Sequence, residues 1–240
     1  MSLTDLLAAT LAVAIGSVVQ AASGVGAGFL MVPMIAWVNI ELLPGPMICG
    51  SLALSGVMAW RERGAIDQGR LPVIFFGILA GSVVGAWVLS RVPGEQLGIV
   101  FGTVILLAVA LAASGLNVPL NRTSALVSGT ISGAMGASSG IGAPMLAILY
   151  QRESGETVRA TLALLYTGAS LMILVILALF GEFDEVDLAN GVALMPGFLF
   201  GYWLANRWRH RLAGLGSRGP VLVVSALAAV TLILKSLGVL

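Results

Sequence analysis

Two stretches of this chain gather small polar residues and glycines in place of ionisable groups. They are Gln20-Ala21-Ala22-Ser23-Gly24-Val25-Gly26-Ala27-Gly28 and Gly136-Ala137-Ser138-Ser139-Gly140-Ile141-Gly142-Ala143-Pro144. Glycine weakens a helix and supports turns, so each stretch is a place where an apolar helix breaks and restarts. In the second stretch Gly142 precedes Pro144, and proline suits a first helical turn because the N–H it lacks would have had no intrahelical partner. The first copy restarts near Gly26 to Gly28. A helix start leaves free backbone N–H groups and about half a positive charge, so two of them converging can hold an anion without Arg or Lys. The candidate substrate-binding residues are therefore Ser23, Gly24, Val25, Gly26 and Gly28, with Ser138, Ser139, Gly140, Ile141, Gly142 and Pro144. The helix after each break carries a few polar groups: Cys49, Ser51 and Ser55, then Thr161, Tyr166, Thr167 and Ser170. Ser51 and Thr167 are second-rank candidates. The competing reading of the glycines is close helix packing alone, and that of the hydroxyls is bonding to their own helix backbone.

Other chemistry is poorly supplied. Cys49 and His210 are the only residues of their types, so neither a disulfide, a metal-ligand set nor a Cys/His catalytic pair is expected, and no cofactor. The apolar blocks contain no acid–base pair and no nucleophile beside a base, which disfavours an intramembrane enzyme. Gly24-Val25-Gly26-Ala27-Gly28 lacks the strand and the acidic residue of a dinucleotide loop. A formal net charge of +1 without a basic cluster gives no footprint for nucleic acid.

The elements that must position these residues are membrane helices. Of 240 residues, 58% are hydrophobic and 10% charged, against about a quarter charged in soluble domains, and the mean hydropathy is +1.03. The lipid bilayer is the implied surrounding. The first segment is expected to stay as a membrane helix, because Asp5 is its only early charge and a secretory leader carries Lys or Arg there. Most apolar stretches approach the roughly 20 residues needed to cross the hydrocarbon core. Leu6 to Val38 as one helix would be about 50 Å long against a core of about 30 Å, so it must break, and Thr123 to Tyr150 is likewise too long.

The breaks are copies. Ser23-Gly24-Val25-Gly26-Ala27 aligns with Ser139-Gly140-Ile141-Gly142-Ala143 at a shift of 116 residues, which also maps Gly81, Gly85, Trp87 and Arg91 onto Gly197, Gly201, Trp203 and Arg207. The expected organisation is two repeats, 1–116 and 117–240. Arg61, Arg63 and Arg70 in the first correspond to an acidic loop, Glu182 to Asp187, in the second. The positive-inside rule places these loops on opposite sides, so the fold class expected is an all-α polytopic membrane protein of two inverted repeats with broken or re-entrant helices. Each broken segment enters and returns, as two short crossings or a re-entrant hairpin, and both termini face out. GxxxG pairs at Gly81/Gly85 and Gly197/Gly201 read as packing, Trp87 and Trp203 as interfacial anchors. Arg159 reads as an orientation signal or a cytoplasmic lure for substrate.

The pattern resembles the sulfite exporter TauE/SafE family. It is carried by Ser23 to Phe29 with Val32-Pro33, and by Gly133-Ala134-Met135-Gly136 through Ser139 to Pro144, and covers essentially the whole chain. Gly28 and Pro144 differ between the repeats, so the two half-sites need not contribute equally. The resemblance implies a transporter of small sulfur-containing anions, such as sulfite, sulfonates or sulfoacetate, in a bacterial cytoplasmic membrane. Export needs no coupling ion where the cell interior is negative, and no buried Asp, Glu or His is present in the apolar blocks for a proton relay. A proton-coupled importer of small organic anions and a non-transporting membrane scaffold stay open as alternatives, as does a homo-oligomer.

Overall fold

The computed structural model describes residues 3–23, 27–208 and 218–238. Ten α-helices are described: α1 (Leu3–Ser23), α2 (Ala27–Val38), α3 (Gly45–Arg61), α4 (Leu71–Leu89), α5 (Leu97–Ala113), α6 (Arg122–Ser139), α7 (Ala143–Leu149), α8 (Gly155–Leu179), α9 (Glu185–Arg207) and α10 (Arg218–Ser236). The fold is all-helical, and five described helices are long and apolar enough to cross a membrane. It is a polytopic membrane protein.

Helix boundaries follow local chemistry. Asn121 and Ser154 cap α6 and α8 by accepting the Ser124 and Thr157 backbone N–H groups, and Asp184 with Asp187 forms a capping box on α9. The first overlong apolar segment is described as two helices, α1 and α2, and the second breaks where its glycines lie. α6 stops at Gly140, whose φ of +80° is left-handed and whose N–H closes on Gly136 at 2.7 Å. α7 then starts behind Gly142 with Pro144 in its first turn. It is only seven residues long, about 10 Å, so the second segment is a hairpin with a short return arm.

The antiparallel return is visible in close approaches. A Cβ on Gly142 would lie 2.7 Å from the Ser132 carbonyl, and one on Gly16 would meet the Met31 side chain. Beyond α7, Gln151 Nε2 donates to the Leu116 carbonyl at 2.8 Å, bringing the hairpin's exit to the loop from which α6 set out.

Helix pairing depends on the glycine stripes. Gly77, Gly81 and Gly85 of α4 lie against the backbone of α6 at Leu126, Thr130 and Ala134, and Gly197 and Gly201 of α9 lie against α1 at Thr10 and Ala14. With no Cβ in the way, backbones meet directly. α3 packs on α8 and α5 on α10, so exchanging the first five helices with the last five maps α4–α6 onto α9–α1 and the other two pairs onto themselves. Ser225 of α10 donates to the Phe29 carbonyl at 2.7 Å, supplying the partner that Pro33 cannot give α2.

The loops sort into two ends. One gathers the α3–α4 linker, the α5–α6 loop and the α7–α8 turn, joined by Gln151–Leu116, by Arg159–Glu62 at 3.3 Å and by the Asp67 N–H on Thr161 Oγ1 at 3.0 Å. Arg61, Arg63, Arg70, Arg122, Arg152 and Arg159 lie here, with Arg207 and Arg218 at the helix ends that reach it. The other end carries Arg91 and Lys235 with Glu41, Glu95, Glu182, Asp184, Glu185 and Asp187. There Lys235 lies over Trp37, and Gly45 packs on Phe183.

Candidate functional site

A cavity of about 100 Å³ lies midway along the helices, where the start of α2 meets the break between α6 and α7. Gly28, at the start of α2, faces Gly140 and Ile141: a Cβ there would lie 3.5 Å from Ile141 Cγ1 and 3.8 Å from the Gly140 carbonyl. Gly28 and the run Gly140 to Ala143 form part of the wall, with Gln20 of α1, Ser51 and Ser55 of α3, Ser132 and Gly136 of α6, and Tyr166 and Ser170 of α8. Apolar residues including Met31, Met47, Ile78 and Ile173 complete it. No Asp, Glu, Lys, Arg or His lines it among the described residues.

Most hydroxyls near this cavity are engaged with their own helices. Ser51 donates to Ile48 at 2.8 Å, Ser55 to Ser51 at 3.0 Å, and Thr167 to Ala163 at 2.8 Å. Ser138 and Ser139 both donate to the Met135 carbonyl, at 3.3 and 2.8 Å, and Ser139 accepts the Ile141 N–H. Two hydroxyls differ. Ser132, 3% exposed, and Tyr166 have hydroxyl oxygens shut away from solvent with no hydrogen-bond partner, and both residues line the cavity. A buried hydroxyl without a partner costs about 1–3 kcal/mol, a cost removed when a ligand accepts its proton.

Of the residues singled out in the sequence, Gly28, Gly140, Ile141, Gly142 and Ser51 line the cavity together. Ser138, Ser139 and Pro144 are buried behind the wall, and Thr167 sits one residue from Tyr166 without lining the cavity. Gly24, Val25 and Gly26 lie outside the described residues, as does the side chain of Ser23. Ser132 and Gln20 were not singled out. Their signal is helical spacing: Ser132 lies four residues before Gly136 and eight before Gly140, on the face that leads into the break.

The remaining candidates fall into structural places. Cys49 is buried against Gly191. Trp87 and Trp203 are exposed near helix ends, the first 5.9 Å from the Arg91 guanidinium. Arg159 is held by Glu62. His210 lies outside the described residues.

The site can therefore donate hydrogen bonds from the side chains of Ser132, Tyr166 and Gln20. Among the described residues no acidic or basic side chain lines it and no cluster of metal ligands occurs. A polytopic helical membrane protein with a cavity that carries hydroxyls beside a helix break has the architecture in which transporters hold substrate. The chain matches the family model described as Sulfite exporter TauE/SafE over residues 8–232, and belongs to that family. It is thus a multi-pass membrane transporter, from a family of transporters of small sulfur-containing anions such as sulfite rather than of enzymes. No curated protein and no solved structure matches the chain.

Proposed function

We propose that this protein exports a sulfur oxyanion of sulfite's size across the bacterial cytoplasmic membrane, holding it in the cavity between the two helix breaks. The observation that carries this reading is the pair of unpartnered hydroxyls, Ser132 and Tyr166, in the cavity that the start of α2 and the second break border. Size narrows the substrate. A cavity of about 150 Å³ takes benzene with its six heavy atoms, so one of about 100 Å³ takes roughly four, the count in sulfite. Sulfoacetate has twice as many and would extend beyond the cavity.

The uncharged wall bears on energetics. Dipoles and neutral donors bind an anion weakly enough for release, and one charge moving through the membrane potential is worth about 2.3 kcal/mol per 100 mV. An inside-negative potential thus drives a monoanion outward with no coupling ion. The exchange of α4–α6 with α9–α1 supports two repeats, 1–116 and 117–240, and their opposite starting ends support inversion. The arginine-rich end is then cytoplasmic by the positive-inside rule, and both termini lie outside.

Currents from purified protein on solid-supported membranes test the substrate. Sulfite is expected to give saturable charge movement and sulfoacetate a far smaller one. Equal currents would contradict the size argument, and none with any anion would favour a scaffold.

A further inference from the structure

Hydroxyls in these helices usually bond their own backbone: Ser17, Ser55, Ser82, Thr130, Ser139 and Thr167 each donate to the carbonyl four residues earlier. On α6 two do not. Ser128 and Ser132, 1% and 3% exposed, leave their hydroxyl oxygens without a partner, and their spacing puts them on one helix face. Ser132 lines the cavity, whereas Ser128 lies beyond the wall, about 6 Å nearer the arginine-rich end.

The same face leads into an apolar seal. Ala125, three residues before Ser128, packs in a cluster that begins at the cavity residues Ile78 and Leu146 and continues through Leu149 and Leu162 to Tyr150. Tyr150 ends that cluster, and its hydroxyl donates to Asp67 Oδ2 at 3.4 Å in the linker of the arginine-rich end. Packing alone gives no reason for a bare hydroxyl beside such a seal, where alanine would fit at lower cost.

We propose that the route between the cavity and the arginine-rich end follows this face of α6, with Ser128 as a second hydroxyl station for a small oxyanion and the Leu149–Tyr150–Leu162 cluster as the closed gate. The proposal rests on the reading of the cavity as the substrate site. An anion leaving Ser132 as the seal parts meets the Ser128 hydroxyl one helical turn on, before it reaches the arginines. Ser128 then sets the speed of passage, and Ser132 the occupancy of the cavity.

Binding and passage separate in the test. In detergent, the sulfite-induced rise in thermal stability should be the same for Ser128→Ala and wild type but shrink for Ser132→Ala. In proteoliposomes, Ser128→Ala should lower the maximal sulfite flux at least threefold, and Ser128→Thr, which keeps the hydroxyl, should restore it. A second variant does not depend on removing the hydroxyl. Ser128→Cys in a Cys49→Ala background should react with iodoacetate from the arginine-rich face, and the alkylated protein should lose flux. Wild-type flux from Ser128→Ala with an inert Ser128→Cys would overturn the route, while the cavity would stand if Ser132→Ala still weakened binding. If Ser132→Ala also left binding and flux unchanged, the cavity reading itself would fail.

Discussion

Ser132 and Tyr166 concentrate the functional claim in two oxygen atoms. If they exist for a ligand, they burden the empty protein, so Ser132→Ala and Tyr166→Phe should each keep or raise the melting temperature while raising the KM for sulfite about fivefold, equivalent to about 1 kcal/mol per lost hydrogen bond. Lower stability with unchanged transport would show that both hydroxyls serve the fold. Gly140 makes a different demand, since its φ of +80° excludes a side chain without strain and an added Cβ would lie 2.5 Å from the end of Met47. Gly140→Leu is expected to insert into the membrane yet stop transport, by filling the cavity wall; wild-type flux would reduce this glycine to a turn residue. The glycines of the second break were legible in the sequence as a turn, and the structure adds the reason at each: a left-handed φ at Gly140 and a close approach to the Ser132 carbonyl at Gly142. The hydroxyls were less so. Ser138 and Ser139 read as donors to substrate but donate to the Met135 carbonyl of their own helix, and Ser132 passed unnoticed because tertiary packing decides which hydroxyl is left unpaired.

At the scale of elements, the paired glycine stripes hold α4 on α6 and α9 on α1 at backbone contact. A Cβ at Gly81 would overlap the Thr130 carbonyl, which has no side-chain freedom to yield, whereas one at Gly56 would meet nothing within 4 Å. Gly81→Leu should therefore cost at least the roughly 1–3 kcal/mol of overpacking and abolish folded protein in size-exclusion profiles, with Gly56→Ala unaffected. A well-folded Gly81→Leu would mean that the α4–α6 contact is looser than described. The loop before α9 adds a pH-dependent term. Burial, and next the negative charge of Asp187, hold Glu182 above the ordinary carboxylate range, so the folded state binds that proton more tightly than the unfolded chain and stability falls as pH rises through the interval between the two values. Glu182→Gln should raise the melting temperature at neutral pH and match wild type in acid; a destabilised variant at pH 7 would contradict this. The helices and both breaks were readable from length, since 33 apolar residues cannot cross the bilayer once. The short α7 agrees with a restart at Pro144 and an apolar stretch that ends at Tyr150, before Gln151, Arg152 and Glu153; what length left open was whether that arm crosses fully or turns back.

For the whole molecule, the loops divide into an arginine-rich and an acidic end. Under the proposed orientation, a cysteine in the loop from Glu182 to Asp187 should label from outside intact cells and one between Arg63 and Asp67 should not; equal labelling would end the inverted arrangement. The charge-free cavity makes voltage the expected driving force, in contrast to a proton-coupled importer, which would move a fully ionised substrate uphill along a pH gradient. The central claim is that a small sulfur oxyanion crosses through the cavity at Ser132 and Tyr166. Its most direct measurement is sulfite flux in proteoliposomes at fixed pH under a clamped potassium diffusion potential, comparing wild type with the Ser132→Ala/Tyr166→Phe double variant. Flux that follows the voltage in wild type and falls at least tenfold in a folded double variant, at sulfite concentrations below KM, is the expected result. No sulfite flux, or equal flux in the two proteins, would contradict it.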